Sequence, residues 1–204
     1  MGLWGEAILP RVVDRALGTP DVAARRARTL AGLGGQVLEI GFGSGLNLRH
    51  YPPEVERVLA VEPSELAWRL AQPRMGKGAP PVERVGLDGA RLPLPGGSVD
   101  AVVSTFTLCT IRDVAAALTE IRRVLRPGGA LHFLEHGRAP DESVRRWQRR
   151  LQPLQSRLVG GCRLDRRIDE LVAGAGLEVV ELTTEYGEGP KFFSYLYGGR
   201  AAAG

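Results

Sequence analysis

Ten residues constrain this chain more than any others: Leu38-Glu39-Ile40-Gly41-Phe42-Gly43-Ser44-Gly45-Leu46-Asn47. The short apolar run Gln36–Ile40 leads straight into the glycines, which predicts a buried parallel strand ending in a tight loop. Gly41, Gly43 and Gly45 lack a Cβ, so the backbone there can approach a ligand closely. In open α/β sheets ligands bind at this end of the strands. Two readings compete for the loop. A dinucleotide fingerprint, G-x-G-x-x-G, needs its third glycine at position 46, which is Leu46, and this weighs against a nicotinamide oxidoreductase. The pattern present is G-x-G-x-G with Glu39 two residues before Gly41. It suits a sulfonium cofactor without phosphates, whose cationic part a strand-end carboxylate favours.

The rest of the chain supports the same architecture. Leu9, Val12, Val13, Ala16 and Leu17 recur at helical spacing, and a second helical stretch runs from Pro20 to Leu33. A short helix is expected near Leu46. Val58–Val61, Val82–Leu87, Val99–Ser104 and Ala130–Leu134 read as strands. Ser64 is placed to cap a helix containing Leu66, Trp68 and Leu70. Val114, Leu118, Ile121 and Leu125 form one helical face, which Pro127-Gly128-Gly129 is expected to stop. Ser143–Leu158 and a stretch ending at Gly176 are helical. Leu177–Leu182 and Phe192–Tyr197 have no room for a crossover helix between them, so they should pair antiparallel. The expected fold is α/β: a doubly wound, Rossmann-like seven-stranded sheet, mostly parallel, with a C-terminal antiparallel hairpin.

Composition bounds the remaining possibilities. A chain of 204 residues fits one domain spanning 1–204, with residues 1–34 as an N-terminal helical cap. No run approaches about 18 apolar residues, so no membrane span is expected. Met1 to Pro10 lacks the pattern of a secretory leader, so a cytoplasmic location is expected. Cys109 and Cys162 lie 53 residues apart and read as reduced thiols. Without a CxxC pair or clustered histidines, no metal site is expected. The net charge of +4 does not imply nucleic acid. Only Lys77 and Lys191 are lysines, so 25 of the 27 basic residues are arginine, a bias that reads as genomic composition.

Further acids fall where the sheet edge should lie. Glu62, beside Pro63, ends the second strand 21 residues after Gly41, where a carboxylate can accept both hydroxyls of a ribose. Asp88-Gly89-Ala90 ends the third strand, where an acid can take an adenine amino group. One such acid alone is more often a solvated loop residue. Three at successive strand ends, with Glu39, outline a crevice.

With these pieces the chain resembles the class I S-adenosylmethionine-dependent methyltransferases. The resemblance rests on LEIGFGSG (38–45), VEPS (61–64), DGARLPLPGGSVDAVVS (88–104) and IRRVLRPGGALHFLEH (121–136). Leu134-Glu135-His136, the stretch 147–153, Gly160–Arg166 and Leu108–Ile111 are similar to the alkyl thiol methyltransferases. The quinone-type C-methyltransferases share the first half equally. The resemblance implies S-adenosyl-L-methionine as cofactor. Glu39, Gly41, Gly43, Gly45 and Asn47 would lie around its methionine part, Glu62 and Pro63 around the ribose, and Asp88, Gly89 and Ala90 around the adenine. Ser104 and Thr105 would face the methyl group. A small-molecule acceptor is implied, with a thiol as one class and a quinone or lipid C- or N-acceptor as the alternative. A non-catalytic cofactor-binding module is the third reading.

Methyl transfer needs alignment more than acid–base chemistry, and a base only if the acceptor arrives protonated. His136, just past the fifth strand, is the expected base. Residues 138–167 hold nine arginines against three acids, a local +6 where the whole chain nets +4. This basic, lid-like insertion reads first as a solvated face. An anionic acceptor or anionic lipid headgroups at a membrane surface are the partners it would otherwise suit.

Overall fold

The computed structural model describes residues 4–76 and 78–204. The first residues of the segment tested for a leader, 1–3, lie outside them. Seven strands form one sheet: β1 (Gly35–Ile40), β2 (Val55–Val61), β3 (Val82–Gly86), β4 (Val99–Thr105), β5 (Leu125–His136), β6 (Leu177–Tyr186) and β7 (Tyr195–Ala203). Their order is β3-β2-β1-β4-β5-β7-β6. The first five run parallel, while β7 is antiparallel to both β5 and β6. This is the expected Rossmann-like arrangement with a C-terminal hairpin.

Helices cover both faces, so the central strands are apolar at nearly every position. Along β1, Val37 packs with Val58, Ala101 and Val103 on one face. Leu38 and Ile40 pack on the other with Val102, Leu118, Ile121, Leu131 and Phe133. The helices are α1 (Leu9–Ala16), α2 (Pro20–Leu30), α3 (Glu65–Ala71), α4 (Val114–Val124), α5 (Glu142–Leu158) and α6 (Ile168–Gly174). Ser64 Oγ accepts from Ala67 N–H at 3.2 Å and caps α3 as its sequence predicts. Asp113 Oδ1 caps α4 in the same way, 3.0 Å from Ala116 N.

Three expectations shift. The helix expected near Leu46 is one 3-10 turn, Leu48–His50, because Pro52-Pro53 follow at once and hold Tyr51 extended. α4 ends at Val124, and Leu125 is already extended (ψ 135°) and paired with Val99. Pro127-Gly128-Gly129 therefore lies inside β5, where the register jumps, and does not stop the helix. β7 begins at Tyr195 rather than Phe192 and runs to Ala203, so it pairs with β5 from Ala130 to His136. No described helix is long and apolar enough to cross a membrane.

Candidate active site

The loop after β1 is built on left-handed glycines. Gly41, Gly43 and Gly45 have φ of +74°, +59° and +74°, which a residue with a Cβ adopts only under strain. Their surroundings differ. A Cβ on Gly41 would stand 2.0 Å from Thr107 Oγ1, so this glycine is the point where the loop abuts the chain leaving β4. A Cβ on Gly43 would meet nothing nearer than Gly41 O at 3.8 Å, so that side of the loop is open. Gly41 and Phe42 both donate to Val61 O, at 2.9 and 3.2 Å, tying the loop to β2.

Glu62, at the end of β2, completes the loop. Its Oε2 accepts from Gly43 N–H and its Oε1 from Ser64 N–H, both at 2.7 Å. Burial raises its pKa, and the two backbone donors pull it back. Arg84 of β3 donates to the Glu62 carbonyl from Nε at 3.0 Å and from Nη2 at 2.6 Å. A carboxylate has about four acceptor positions. One backbone donor on each oxygen leaves capacity for ligand hydroxyls. Pro63 is exposed beside it. Asp88 is exposed as well, and its Oδ1 accepts from Ala90 N at 2.9 Å. Gly89 is buried, and a Cβ there would lie 2.7 Å from Ile40 Cγ2, so this turn sits directly against the end of β1.

Beneath the loop lies a buried polar network. Glu39 is 1% exposed, and its oxygens accept from Asn47 Nδ2 at 2.8 Å and Tyr51 Oη at 2.6 Å. It therefore supports the loop from below instead of facing the crevice. Burial lifts its pKa to about 7 against the pull of those bonds and of Arg26. Arg26 of α2 donates to Asn47 Oδ1 at 2.8 Å and Thr105 Oγ1 at 2.7 Å. Burial lowers Arg26 to about 10, with Glu39 and Glu135 opposing. Asn47 Nδ2 reaches Thr105 Oγ1 as well, at 3.1 Å. Ser104 donates to Glu135 Oε1 at 2.7 Å. Both hydroxyls expected to face the methyl group are thus turned to internal partners.

Glu135 is the hub of the next segment. Besides Ser104 it accepts from the N–H groups of Thr107, Leu108 and Cys109 at 3.1, 3.0 and 3.1 Å. Burial raises its pKa while these donors hold it down. Arg26, Tyr51 and Glu135 carry this network, and only Glu135 left a signal in the sequence, as an acid inside the apolar run of β5. His136 is buried with its ring between Phe106 and Phe193, each 4.8 Å away centre to centre. Cys109 and Cys162 close on the same ring, their Sγ atoms 3.8 Å apart. Residues 138–167 hold α5, whose Trp147 and Leu154 are exposed beside its arginines.

Residues 38–133 match the family model described as a methyltransferase domain. Over these residues the chain is similar to a methyltransferase domain. Human thiol S-methyltransferase TMT1B is 37% identical over 145 residues, 67% of this chain and 58% of that protein. The ubiquinone/menaquinone biosynthesis C-methyltransferase UbiE of Caulobacter vibrioides is 32% identical over 155 residues, 70% of this chain and 53% of that protein. The chain thus spans little more than half the length of these two relatives. Phosphatidylethanolamine N-methyltransferase of Cereibacter sphaeroides is 29% identical over 177 residues, covering 84% of this chain and 85% of that protein. The methyltransferase fold itself recurs in a SAM-dependent methyltransferase from Aquifex aeolicus, with TM-score 0.65, 18% identity and coverage of 95% and 98%.

Proposed function

We propose that this protein is an S-adenosylmethionine-dependent methyltransferase whose acceptor is a small thiol. The observation that carries the reading is the pairing of the left-handed glycine loop with Glu62, a buried carboxylate bonded to Gly43 N–H. The open side of Gly43 is a cradle that a Cβ would fill, and Glu62 keeps acceptor capacity beside it. These residues fit the cofactor. When bound, it supplies a methyl carbon already activated by a positive sulfur.

The chain's own work is holding and aligning. Glu62 takes the ribose hydroxyls, and Asp88, Gly89 and Ala90 take the adenine. Glu39 positions the loop through Asn47 and Tyr51 without touching the ligand. The helices α1 and α2 act as a cap: Ser44 Oγ donates to Asp14 Oδ1 of α1 at 2.6 Å, and Arg26 pins Asn47 from α2. Phe106 and Phe193 make an apolar wall that keeps water from the reacting atoms. A thiol acceptor has an ordinary pKa of about 8.5, so ionising it costs little near neutral pH.

The similarity to TMT1B supports the thiol. A lipid amine is the second reading, favoured by the relative of matching length and by the arginine-rich α5 with Trp147 and Leu154 exposed. Incubation with methyl-labelled donor and a panel of an alkyl thiol, a quinol and phosphatidylethanolamine vesicles separates them. Label in the thiol is the expected result. Label in the vesicles alone would move the acceptor to an amine, and label in none would remove the activity from this panel's classes.

A further inference from the structure

The geometry points to a zinc site formed by Cys109, His136 and Cys162, with Cys109 two residues along the chain from Thr107, which abuts Gly41 of the glycine loop. Their donor atoms all lie within 4.8 Å of one another, and all three residues are buried. The two sulfurs are 3.8 Å apart. Tetrahedral zinc with Zn–S bonds of about 2.3 Å needs its sulfurs about 3.8 Å apart. A disulfide needs about 2.05 Å. The spacing is that of two ligands on one ion. Two thiolates and an imidazole, with no carboxylate among them, form the soft donor set that selects zinc over magnesium or calcium.

Each ligand is held by its own support. Cys109 is fixed through its N–H on Glu135 and through its carbonyl, which accepts from Arg163 N–H at 2.8 Å. Cys162 follows two left-handed glycines, Gly160 at φ +58° and Gly161 at φ +93°, which swing its side chain inward. Its carbonyl accepts from Gln152 Nε2 at 3.0 Å. The His136 ring is set by Phe106 and Phe193. Charge also balances: two thiolates neutralise a divalent ion. The buried Glu135 has a counter-charge in Arg166, whose guanidinium bonds the carbonyls of Leu108 and Ile111 on either side of Cys109.

Three protein donors leave the fourth tetrahedral position to a further ligand, the pattern of reactive rather than structural zinc. That position suits a soft thiolate. On coordination the acceptor thiol would release its proton to solvent water, and the thiolate would form a bond to the cofactor's methyl carbon as the sulfonium C–S bond breaks to leave a thioether; His136, bound to the ion, takes no proton in this step, which rests on the methyltransferase reading above.

The full chain, expressed with zinc and desalted under reductant, is assayed for metal by mass spectrometry. It is then exchanged with Co²⁺ and its absorption recorded. One ion per chain and a thiolate-to-cobalt charge-transfer band are expected in the wild type, and neither in Cys109→Ala or Cys162→Ala. Added zinc should raise the melting temperature of the wild type only. Metal-free wild type, or equal zinc in wild type and both variants, would overturn the site. Addition of a small alkyl thiol should change the cobalt bands, and unchanged bands would overturn its place as fourth ligand. S-adenosylhomocysteine titration of Cys162→Ala serves as folding control and keeps the two readings apart. Cofactor binding retained there while metal is lost is the expected outcome. Loss of cofactor binding by wild type as well would strike the methyltransferase reading and leave the metal result standing.

Discussion

Gly41 and Gly43 share a backbone conformation, yet alanine should act on them in opposite ways. At φ +59°, Gly43→Ala places an L-residue in the left-handed region, which costs about 1–2 kcal/mol. The unfolded chain loses freedom too, which returns about 0.4–1 kcal/mol. No atom obstructs the new Cβ, the nearest being Gly41 O at 3.8 Å. The net loss is therefore about 1 kcal/mol, or about 2–4 °C in melting temperature for a chain of this size. The methyl group instead enters the space proposed for the cofactor, and affinity should fall at least about tenfold, equivalent to about 1.4 kcal/mol. Gly41→Ala meets Thr107 Oγ1, Cγ2 and Cβ at 2.0, 2.5 and 2.7 Å. Thr107 has little freedom to step aside, since its N–H is held by Glu135 at 3.1 Å and its hydroxyl by Thr105 O at 3.2 Å. That variant should lose roughly 3 kcal/mol or more of stability. Denaturant unfolding and calorimetric titration with S-adenosylhomocysteine measure the two effects separately. Wild-type affinity in a folded Gly43→Ala would refute the placement of the cofactor against this loop.

Other consequences follow from the buried charges. Glu39, lifted from 4.5 to about 7 by burial, holds its proton longer in the folded state. Its contribution is fully present below about pH 4.5 and lost as pH rises through about 7, up to about 3 kcal/mol. Glu39→Gln should flatten that part of the stability–pH curve, and a slope identical to wild type between pH 4.5 and 7 would contradict it. Arg26→Met removes the buried cation that bonds Asn47 and Thr105; it should destabilise by about 3–5 kcal/mol in urea unfolding, and a loss below 1 kcal/mol would count against the network. Ser44→Ala breaks only the bond to Asp14. It should weaken cofactor binding by a few-fold through a looser cap, with about 1 kcal/mol lost from stability; unchanged affinity would leave α1 without a role at the loop.

Sheet, loop and hairpin were legible because their causes are local. β1, β2 and β4 are buried on both faces and so appear as short apolar runs, the first two leading directly into Gly41 and Glu62. The hairpin follows from the lack of space for a crossover between β6 and β7. What escaped depends on contacts distant in sequence. Arg26 looks like any other arginine of an amphipathic helix until α2 is laid over Thr105, 79 residues away. Glu39 reads as a cofactor acid by position, but Asn47 and Tyr51 turn it inward. Ser104 and Thr105 reach the expected strand end, yet alternation along β4 and the neighbours on β5 and α2 settle where their hydroxyls point. Cys109 and Cys162 carry no metal spacing in the sequence because α4, β5 and α5 intervene, and the Gly160-Gly161 turn directs Cys162 back toward Cys109. The start of β5 was missed since Pro127-Gly128-Gly129 has the composition of a helix stop while lying in a strand bulge.

The central claim is that the glycine loop and Glu62 bind S-adenosylmethionine. Calorimetric titration of the full chain with S-adenosylhomocysteine, beside the Glu62→Ala variant and a nicotinamide dinucleotide control, tests it most directly. Saturable micromolar binding is predicted for wild type, weakened at least about tenfold by Glu62→Ala, which removes a charge-assisted acceptor. No heat should appear with the dinucleotide. Absence of S-adenosylhomocysteine binding, or equal binding by a folded Glu62→Ala, would contradict the account.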